Sequence, residues 1–590
     1  MTSRRAASRL YLVFALLLSF LATTIHAQTV TGTLQGRVSD RSGAVLPGVT
    51  ITIRNLETGL ERVVTTDSQG FFNAPFLPLG RYRVSAELAG MGTMRRDNVP
   101  VQLNQTTVQE FVLDPSMEET ITVNADAPRI NVTDGEIKQT LQAEQITDVP
   151  SASQTSFLGL ATLFSGYQEN PTSGQNNPTL SSGSSVNFNG TGTRGATFQI
   201  DGVNNDDSSE NQNRQGVALA TIKSFQVLTN NFSSEFGRGY GSVVLVQTKS
   251  GTNSVDGEVY GYFQDAQYNE LDALNKQRDK PEATRRQYGL AAGFPIVRDT
   301  LFTFVNADMV EDVGGAFATR GLFTAEDLAL PRLTKGNDTP ANRAFQDYIL
   351  SFWPTGLTPN ATNVASRAYT FPADRDWPDR DYSGRLDYNM NVSNNFTARY
   401  QKSTQKRETG ELIIGENAFQ DNRQSNFGLT WTGILSSDTV HEARYGLGLR
   451  STNVNISAGN NTPVVRINNT GVPTFTILGN AGAFPINRNQ RDQQLVYNIS
   501  SARWDRHTLR AGLDIRQSQL NDLSDNFSRG FWTFSAACGG MPPEAIIQSS
   551  QCAPMPWTSP CDPRPSLPTE RHVRSPKYRI RSGGTPWTSR

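Results

Sequence analysis

Five polar residues crowd one short stretch of the chain: Asp201, Asn204, Asn205, Asp206 and Asp207. Carboxylates and amides at that density suggest a calcium loop. Their spacing does not fit D-x-[DN]-x-[DN]-G with a distal Glu, so the stretch reads as a solvated loop. Further on, Glu235-Phe236-Gly237-Arg238-Gly239-Tyr240-Gly241-Ser242 has the glycines of a phosphate cradle. It lacks G-x-x-x-x-G-K-[ST] and runs into an apolar strand at 243–246, not into a helix, so phosphate binding is a poor reading. The four histidines show no zinc-hydrolase spacing, and the three cysteines, Cys538, Cys552 and Cys561, all lie near the C-terminus. No nucleophile, base and orienter are spaced for catalysis, so no catalytic residue, metal site or cofactor is expected. Chemistry of another kind suits Glu119, Thr120, Ile121, Thr122, Val123, Asn124 and Ala125. This β-prone run sits between polar residues and a proline. It reads either as a linker or as a segment that adds to the sheet edge of a partner, with main-chain hydrogen bonds supplying the affinity.

These stretches must be positioned by strands. In 507–516, His507, Leu509, Ala511, Leu513 and Ile515 take one face, and Thr508, Arg510, Gly512, Asp514 and Arg516 the other. Residues 382–390 alternate likewise, with Leu386, Tyr388 and Met390 opposite Arg385, Asp387 and Asn389. Side chains alternate sides with period two, so each strand has an oily face and a charged one. A soluble sandwich buries the oily face; an outer-membrane barrel turns it to lipid. Connection lengths choose between them. Between 253 and 536, expected strands at 255–264, 286–294, 301–308, 382–390, 396–402, 426–432, 439–450, 494–502, 507–516 and 530–535 are joined by short turns at 295–299, 391–395, 435–438 and 505–506. The other ends carry long connections at 265–284, 309–380, 404–423 and 451–492. Alternating short and long connections mark a transmembrane barrel, and loops that long are out of place in a compact soluble domain.

Composition agrees. The net charge is −1 and no basic stripe stands out, which argues against nucleic acid as a partner. Arg4, Arg5 and Arg9 precede an apolar run at 10–22, and small or polar residues follow to Ala27-Gln28. That is a cleaved export signal over 1–27 rather than a spanning helix, for which the run is too short.

Residues 28–115 read as short strands at 34–40, 49–55, 60–66, 81–88 and 107–113, separated by Gly-containing turns; this pattern predicts a β-sandwich. Gly36-Arg37-Val38-Ser39-Asp40, the run GAVLPGV at 43–49, Thr66-Asp67-Ser68-Gln69-Gly70-Phe71-Phe72 and Leu79-Gly80-Arg81-Tyr82 resemble the carboxypeptidase regulatory-like family. The resemblance implies a seven-stranded Ig-like or prealbumin-like sandwich, also grouped with carbohydrate-binding-like folds, that accompanies peptidases without being one. Asp67 and Gly70 are expected in a turn, Phe71 and Tyr82 in the core. Carbohydrate binding is a fold-level expectation only.

Residues 119–125 look like the TonB box of TonB-dependent outer-membrane receptors, within a linker at 116–128. Residues 129–252 resemble the α+β plug of those receptors. The motifs are Phe198-Gln199-Ile200-Asp201-Gly202-Val203, the strand at 222–228, Glu235-Phe236-Gly237-Arg238-Gly239, and Thr248-Lys249-Ser250-Gly251-Thr252. The resemblance is to Oar-like receptors. It implies a plug that carries part of a ligand site on its outward loops, a TonB-type energy-transducing partner, and residence in outer-membrane lipid.

The fold expected is therefore mainly β: signal, sandwich, plug and part of an antiparallel transmembrane barrel, with about ten strands where a plugged lumen takes about 22. From 537 the alternation stops, prolines accumulate and Pro-Trp-Thr-Ser appears twice, at 556–559 and 586–589. The expectation is a disordered or frameshifted tail over 537–590 and a chain that is the front part of a longer receptor. The function expected is energised uptake of a bulky solute: an oligosaccharide, a peptide or a metal chelate. Adhesion or another surface-structural role, and a fragment without function, are the alternatives; an enzyme fits least.

Overall fold

The computed structural model describes residues 31–535 apart from 115–120, 125–134, 149–156, 169–185, 271–281, 323–338, 362–367, 413–417, 457–463, 469–476, 479–484, 525–530 and a few single or paired positions. The export signal, the tail with its cysteines, and Glu119, Thr120 and Ala125 lie outside the described residues.

Alternating apolar residues close the N-terminal sandwich. Its strands are β1 (Gly32–Asp40), β2 (Thr50–Asn55), β3 (Glu61–Thr65), β4 (Phe71–Leu77), β5 (Gly80–Glu87), β6 (Met94–Val101) and β7 (Thr106–Leu113). They form one sheet ordered β4-β1-β7 and a second ordered β3-β2-β5-β6, extended at its end by β8 (Ile121–Asn124). Leu34, Val38, Ile51, Ile53, Tyr82, Val84 and Phe111 fill the space between them. Asp67 accepts hydrogen bonds from the N–H groups of Gln69 and Phe71 at 2.8 and 2.9 Å, making the expected turn. The core ring is Phe72, however, and Phe71 is only half-buried. Strands β4 and β6 are additional to the five expected. The sequence of β6, MRRDNVPV, hides its alternation behind charges and a positive φ of 59° at Asn98.

The plug is built on a sheet ordered β11-β10-β13-β12-β9. Its strands are β9 (Ile137–Gln142), β10 (Ala196–Ile200), β11 (Val203–Asn204), β12 (Ile222–Asn230) and β13 (Ser242–Thr248), with helix α1 (Ala143–Asp148) following β9. Strands β10 and β13 run parallel and both are buried on both faces; β13 carries Val243 and Leu245 on one face and Val244 and Val246 on the other, while β10 alternates Ala196, Phe198 and Ile200 with the buried polar Thr197 and Gln199. One face packs on Phe157, Phe164 and Phe188 within the plug. On the other, Leu228, Phe236, Val243 and Leu245 share a cluster with Leu79 and Leu103 of the sandwich.

Most of the described residues from 256 to 524 form one antiparallel wall. Nine strands follow in order: β14 (Asp256–Asp265), β15 (Ala283–Val297), β16 (Leu301–Gly314), β19 (Arg375–Asn391), β20 (Asn394–Thr409), β21 (Ala418–Ser436), β22 (Thr439–Ile456), β25 (Ile486–Trp504) and β26 (His507–Ser524). Between them lie a hairpin, β17 (Phe317–Gly321) with β18 (Ala368–Pro372), and helix α2 (Pro340–Ser351). The tenth expected strand is not in the wall. It is β27 (Phe531–Ser535), which pairs with β23 (Val464–Asn468) beside β24 (Ile477–Leu478) in a small separate sheet. Among the described residues β14 and β26 are not paired with each other, so the wall is open.

The expected hairpins are present, but the strands overrun their expected ends. The 309–380 connection yields 309–314 to β16 and 375–380 to β19, and 404–409 joins β20. Once two backbones are in register, ladder hydrogen bonds carry the pairing on without an oily face.

Burial across the wall is inverted relative to a soluble protein. Leu495 is 50% exposed and its neighbour Gln494 is 5%. Leu386, Met390, Leu513 and Ile515 face outward, while Asn426, Arg444, Thr452 and Asn498 are buried on the opposite face, Asn426 and Arg444 against the plug. Among the described residues no helix is long and apolar enough to cross a membrane, which says nothing of strands. The wall has the oily exterior and polar lumen of a transmembrane barrel.

Candidate functional site

The plug meets the wall through the loop after β10. Strand β10 ends at Ile200, and the chain turns through Asp201 and Gly202 with φ of 49° and 72° into β11. The Asp201 carboxylate accepts from the Thr248 N–H at 2.9 Å and the Thr248 hydroxyl at 2.8 Å, tying the ends of β10 and β13 together. Two wall arginines converge on the same carboxylate. Arg399 Nε lies 2.9 Å from Oδ2 and Arg385 Nη1 3.4 Å from Oδ1. The Arg399 contact is an ion pair whose N–H is not aimed for a hydrogen bond.

The following residues continue the pattern. Asn204 donates its N–H to Gln494 Oε1 at 2.8 Å, and Arg444 donates to the Gly202 carbonyl at 3.1 Å. Asn426 donates to Asn205 Oδ1 at 3.3 Å. Asp206 holds the Phe198 N–H at 2.6 Å and the Thr197 hydroxyl at 2.9 Å, with Arg516 3.9 Å away. Asp207 pairs with Arg450, and Glu210 with Arg488 at 3.3 Å. Arg214 reverses the polarity, donating from the plug to Asp492 of the wall at 2.9 Å. The loop expected to be solvated is instead buried: Asp201, Asn204, Asn205, Asp206 and Asp207 are all 7% exposed or less. An unpaired buried carboxylate is costly. Arginines projecting from the polar face of the wall supply the partners, and these residues face that wall.

The other plug motifs are structural in placement. Phe236 is buried in the cluster shared with the sandwich, Glu235 is half-buried, and Gly237 and Arg238 are exposed, Arg238 at a φ of 68°. Gly239 packs so close to the start of β13 that a Cβ would come 2.8 Å from the Ser242 carbonyl oxygen. Lys249 reaches Glu258 of β14 at 3.4 Å. After Ser250 the chain crosses the wall at Gly251, where a Cβ would sit 2.4 Å from the Thr303 carbonyl oxygen. Only a glycine allows backbone to approach backbone this closely. Thus Asp201, Gly202, Thr248, Lys249 and Gly251 meet at the plug–wall seam, while Phe236 packs toward the sandwich and Gly239 lies against Thr197, whose hydroxyl donates to Asp206.

The segment expected as a linker or as an added strand is placed in part. Its central residues form β8, which runs parallel to β6 with Met94, Arg95, Arg96 and Asp97 opposite Ile121, Thr122, Val123 and Asn124. It is paired to the sheet of its own chain. The sandwich in turn is bonded to the plug. Gln226 donates to the Leu103 carbonyl at 3.0 Å, Lys223 to the Leu79 carbonyl at 2.9 Å, and Lys138 to the Asn104 carbonyl at 2.6 Å.

Sequence reasoning misses the wall side of the seam: Arg399, Arg444, Arg450, Arg488 and Asp492. The available signal was the run of arginines on the non-oily face of successive strands, opposite an acidic plug loop.

The family described as the outer membrane beta barrel domain matches residues 247–551, just over half of the chain, and the carboxypeptidase regulatory-like domain matches residues 33–114. The TonB-dependent transporter Oar of Myxococcus xanthus is 25% identical over 335 residues, which cover 52% of this chain and 30% of that protein. Among solved structures, the outer membrane transporter YddB of Escherichia coli aligns at 10% identity and a TM-score of 0.44, over 68% of this chain and 50% of that one. The siderophore receptor PirA of Pseudomonas aeruginosa aligns at 14% identity and a TM-score of 0.38, over 65% and 48%. This chain therefore spans less than a third of its curated relative and about half of these receptors. With a regulatory-like sandwich before its plug and an inside-out wall behind it, the chain resembles TonB-dependent receptors, belongs to the outer-membrane β-barrel family and resides in the outer membrane.

Proposed function

We propose that the chain serves energised uptake of a bulky solute through the outer membrane, with Asp201, Gly202, Thr248 and their neighbours as the seam that opens. Residues 119–125 would engage a TonB-type partner and the plug would shift against the wall. The observation that carries this reading is the polarity of the seam. Wall and plug are joined by ion pairs and amide contacts involving Asp201, Asn204, Asp207, Glu210 and Arg214. In a dry seam, removing one partner of such a pair costs about 3–5 kcal/mol. If water enters as the plug moves, each hydrogen bond is replaced by one to solvent and the net loss falls to about 0.5–1.5 kcal/mol. A polar seam can therefore open into a wet path, where an apolar one would have to expose oily surface.

The activity is proposed for a wall whose open edges, β14 and β26, are joined through further strands, since unpaired backbone in lipid costs several kcal/mol per group. Oligosaccharides, peptides and metal chelates remain the candidate cargo classes, and the sandwich is a candidate carbohydrate contact. The test is uptake of labelled candidates by cells carrying the protein, compared with a variant lacking 119–125 and with cells whose proton gradient is dissipated. Uptake should fall to background in both. Uptake indifferent to the deletion overturns the reading.

A further inference from the structure

Strand β21 carries a row of carboxamides that the ion pairs of the seam do not use. Gln420, Asn422 and Gln424 lie on the same face of the strand as Asn426, which meets the plug at Asn205. They are 1%, 1% and 2% exposed. Both side-chain polar atoms of Gln420 and of Asn422, and Nε2 of Gln424, are buried without a hydrogen-bond partner among the described residues. Gln405 of β20, in register with Asn422, adds a buried Oε1 in the same condition. So does Gln215 of the plug, whose Nε2 donates to the Ser403 hydroxyl at 3.1 Å, while that hydroxyl donates to Gln424 Oε1 at 3.0 Å. Three donors and four acceptors are thus left open on adjoining positions. The row begins two residues inside the end of β21 that carries the connection from β20. That is the end with the long connections, which faces outward in a transmembrane barrel.

We infer that this row is a binding site for an uncharged oligosaccharide, contacted from the wall by Gln420, Asn422 and Gln424 and from the plug by Gln215. This rests on the proposed function and narrows its cargo to one class. A buried donor or acceptor left unmade is costly, and folded proteins leave few of them. The charges beside the row are already paired, Arg407 with Asp379 at 2.9 Å and Arg450 with Asp207. The open groups are all neutral amides, so the row suits a neutral solute better than a charged chelate. A hydroxyl both donates and accepts, and a carboxamide holds its N–H and C=O side by side, so each member of the row can take a pair of neighbouring hydroxyls. From Gln420 to Gln424 the row spans about 13 Å at the rise of an extended strand, which is longer than one sugar ring and fits a chain of them. A peptide would bring side chains that need pockets of their own, and the strand neighbours of the row, Ser403, Gln405 and Thr452, are polar as well. Because Gln215 belongs to the plug, a ligand bonded to it and to Gln424 touches both sides of the seam.

The test is titration of the full chain, in a detergent without a sugar headgroup, with maltohexaose, cellohexaose and laminarihexaose, and beside them with hexaglycine and ferric citrate. At least one of the three sugars should bind, and Gln420→Leu and Asn422→Leu should each weaken that binding on the order of tenfold or more. The thermal midpoint of both variants should hold or rise, because an apolar side chain of similar size leaves no buried polar atom unpaired. A lowered midpoint in both variants shows amides that serve the fold and overturns the inference. Binding of none of the three sugars, with the amides served by water alone, overturns it, as does a sugar that binds the variants as tightly as the unsubstituted chain. Binding of hexaglycine or ferric citrate that the same substitutions weaken, without binding of a sugar, overturns the inference and leaves the proposed function intact. Failure of the proposed function shows separately, as uptake indifferent to loss of 119–125.

Discussion

Arg214 of the plug and Asp492 of the wall form a hydrogen-bonded ion pair at 2.9 Å, with the arginine side chain wholly buried. The same guanidinium donates to the carbonyls of Asn204 at 2.8 Å and Asp206 at 3.3 Å, so it organises the acidic loop as well as joining it to β25. Asp492→Ala leaves that cation buried without its counter-charge, at a cost of about 3–5 kcal/mol. The expected outcome is a plug that opens more readily, read as faster proteolysis of 200–215 in the membrane-inserted protein. The double variant Arg214→Met with Asp492→Leu should be less sensitive than Asp492→Ala, because no orphan charge remains.

Space for that arginine comes from Gly448. A Cβ there would lie 2.0 Å from Arg214 Cζ, and the guanidinium is held on three sides. Gly448→Ala should push Arg214 off Asp492 and cost about 1–3 kcal/mol by overpacking. Gly384 meets nothing within 4 Å, so Gly384→Ala serves as the control on the same wall. Thermal unfolding in detergent should separate the two variants, with only Gly448→Ala lowering the midpoint.

The inverted burial predicts opposite responses on the two faces of one strand. Leu495 is outward and Gln494 inward. Leu495→Arg should cost about 2–4 kcal/mol if it sits near the bilayer midplane. In a detergent that tolerates an exposed charge, the same change should cost little. Comparing urea titrations in phospholipid vesicles and in detergent checks this; equal effects in both media contradict a lipid-facing Leu495.

The legible parts of the fold are those where one face of a strand is oily. Leu509, Leu513 and Ile515 announced β26 because lipid selects them. Asn521 and Asp522 on the same strand did not, because beyond the oily band the ladder to β25 holds them whatever their polarity. The seam was illegible for a different reason. Polar loops are normally outside, and Asp207 is buried only because Arg450, 243 residues further along the chain, meets it. The motifs around Asp201 and Thr248 were readable as a plug, yet their partners Arg385 and Arg399 looked like ordinary lumen residues. The pairing of Ile121–Asn124 onto its own sandwich was hidden too, since β6 is a charged strand whose edge character no local pattern reveals.

Asp97 provides a pH test confined to the sandwich, outside the wall. Hydrogen bonds from Arg95, with further help from Arg83, hold its carboxyl down from 3.8 to about 2. A carboxyl depressed in the folded state adds stability at pH values above its unfolded value. That contribution is lost as pH falls toward and through the folded value, so the window runs from about pH 4 down to about pH 2. Both arginines are substantially exposed, at 39% and 33%, so solvent screening reduces the full linkage value to about 1 kcal/mol. Asp97→Asn should lower the stability of residues 31–114 by about that amount at pH 6 and match the unsubstituted domain near pH 2. Urea titrations at the two pH values measure it directly. A difference that is the same at both would mean that Asp97 acts through packing at β6 and not through its charge.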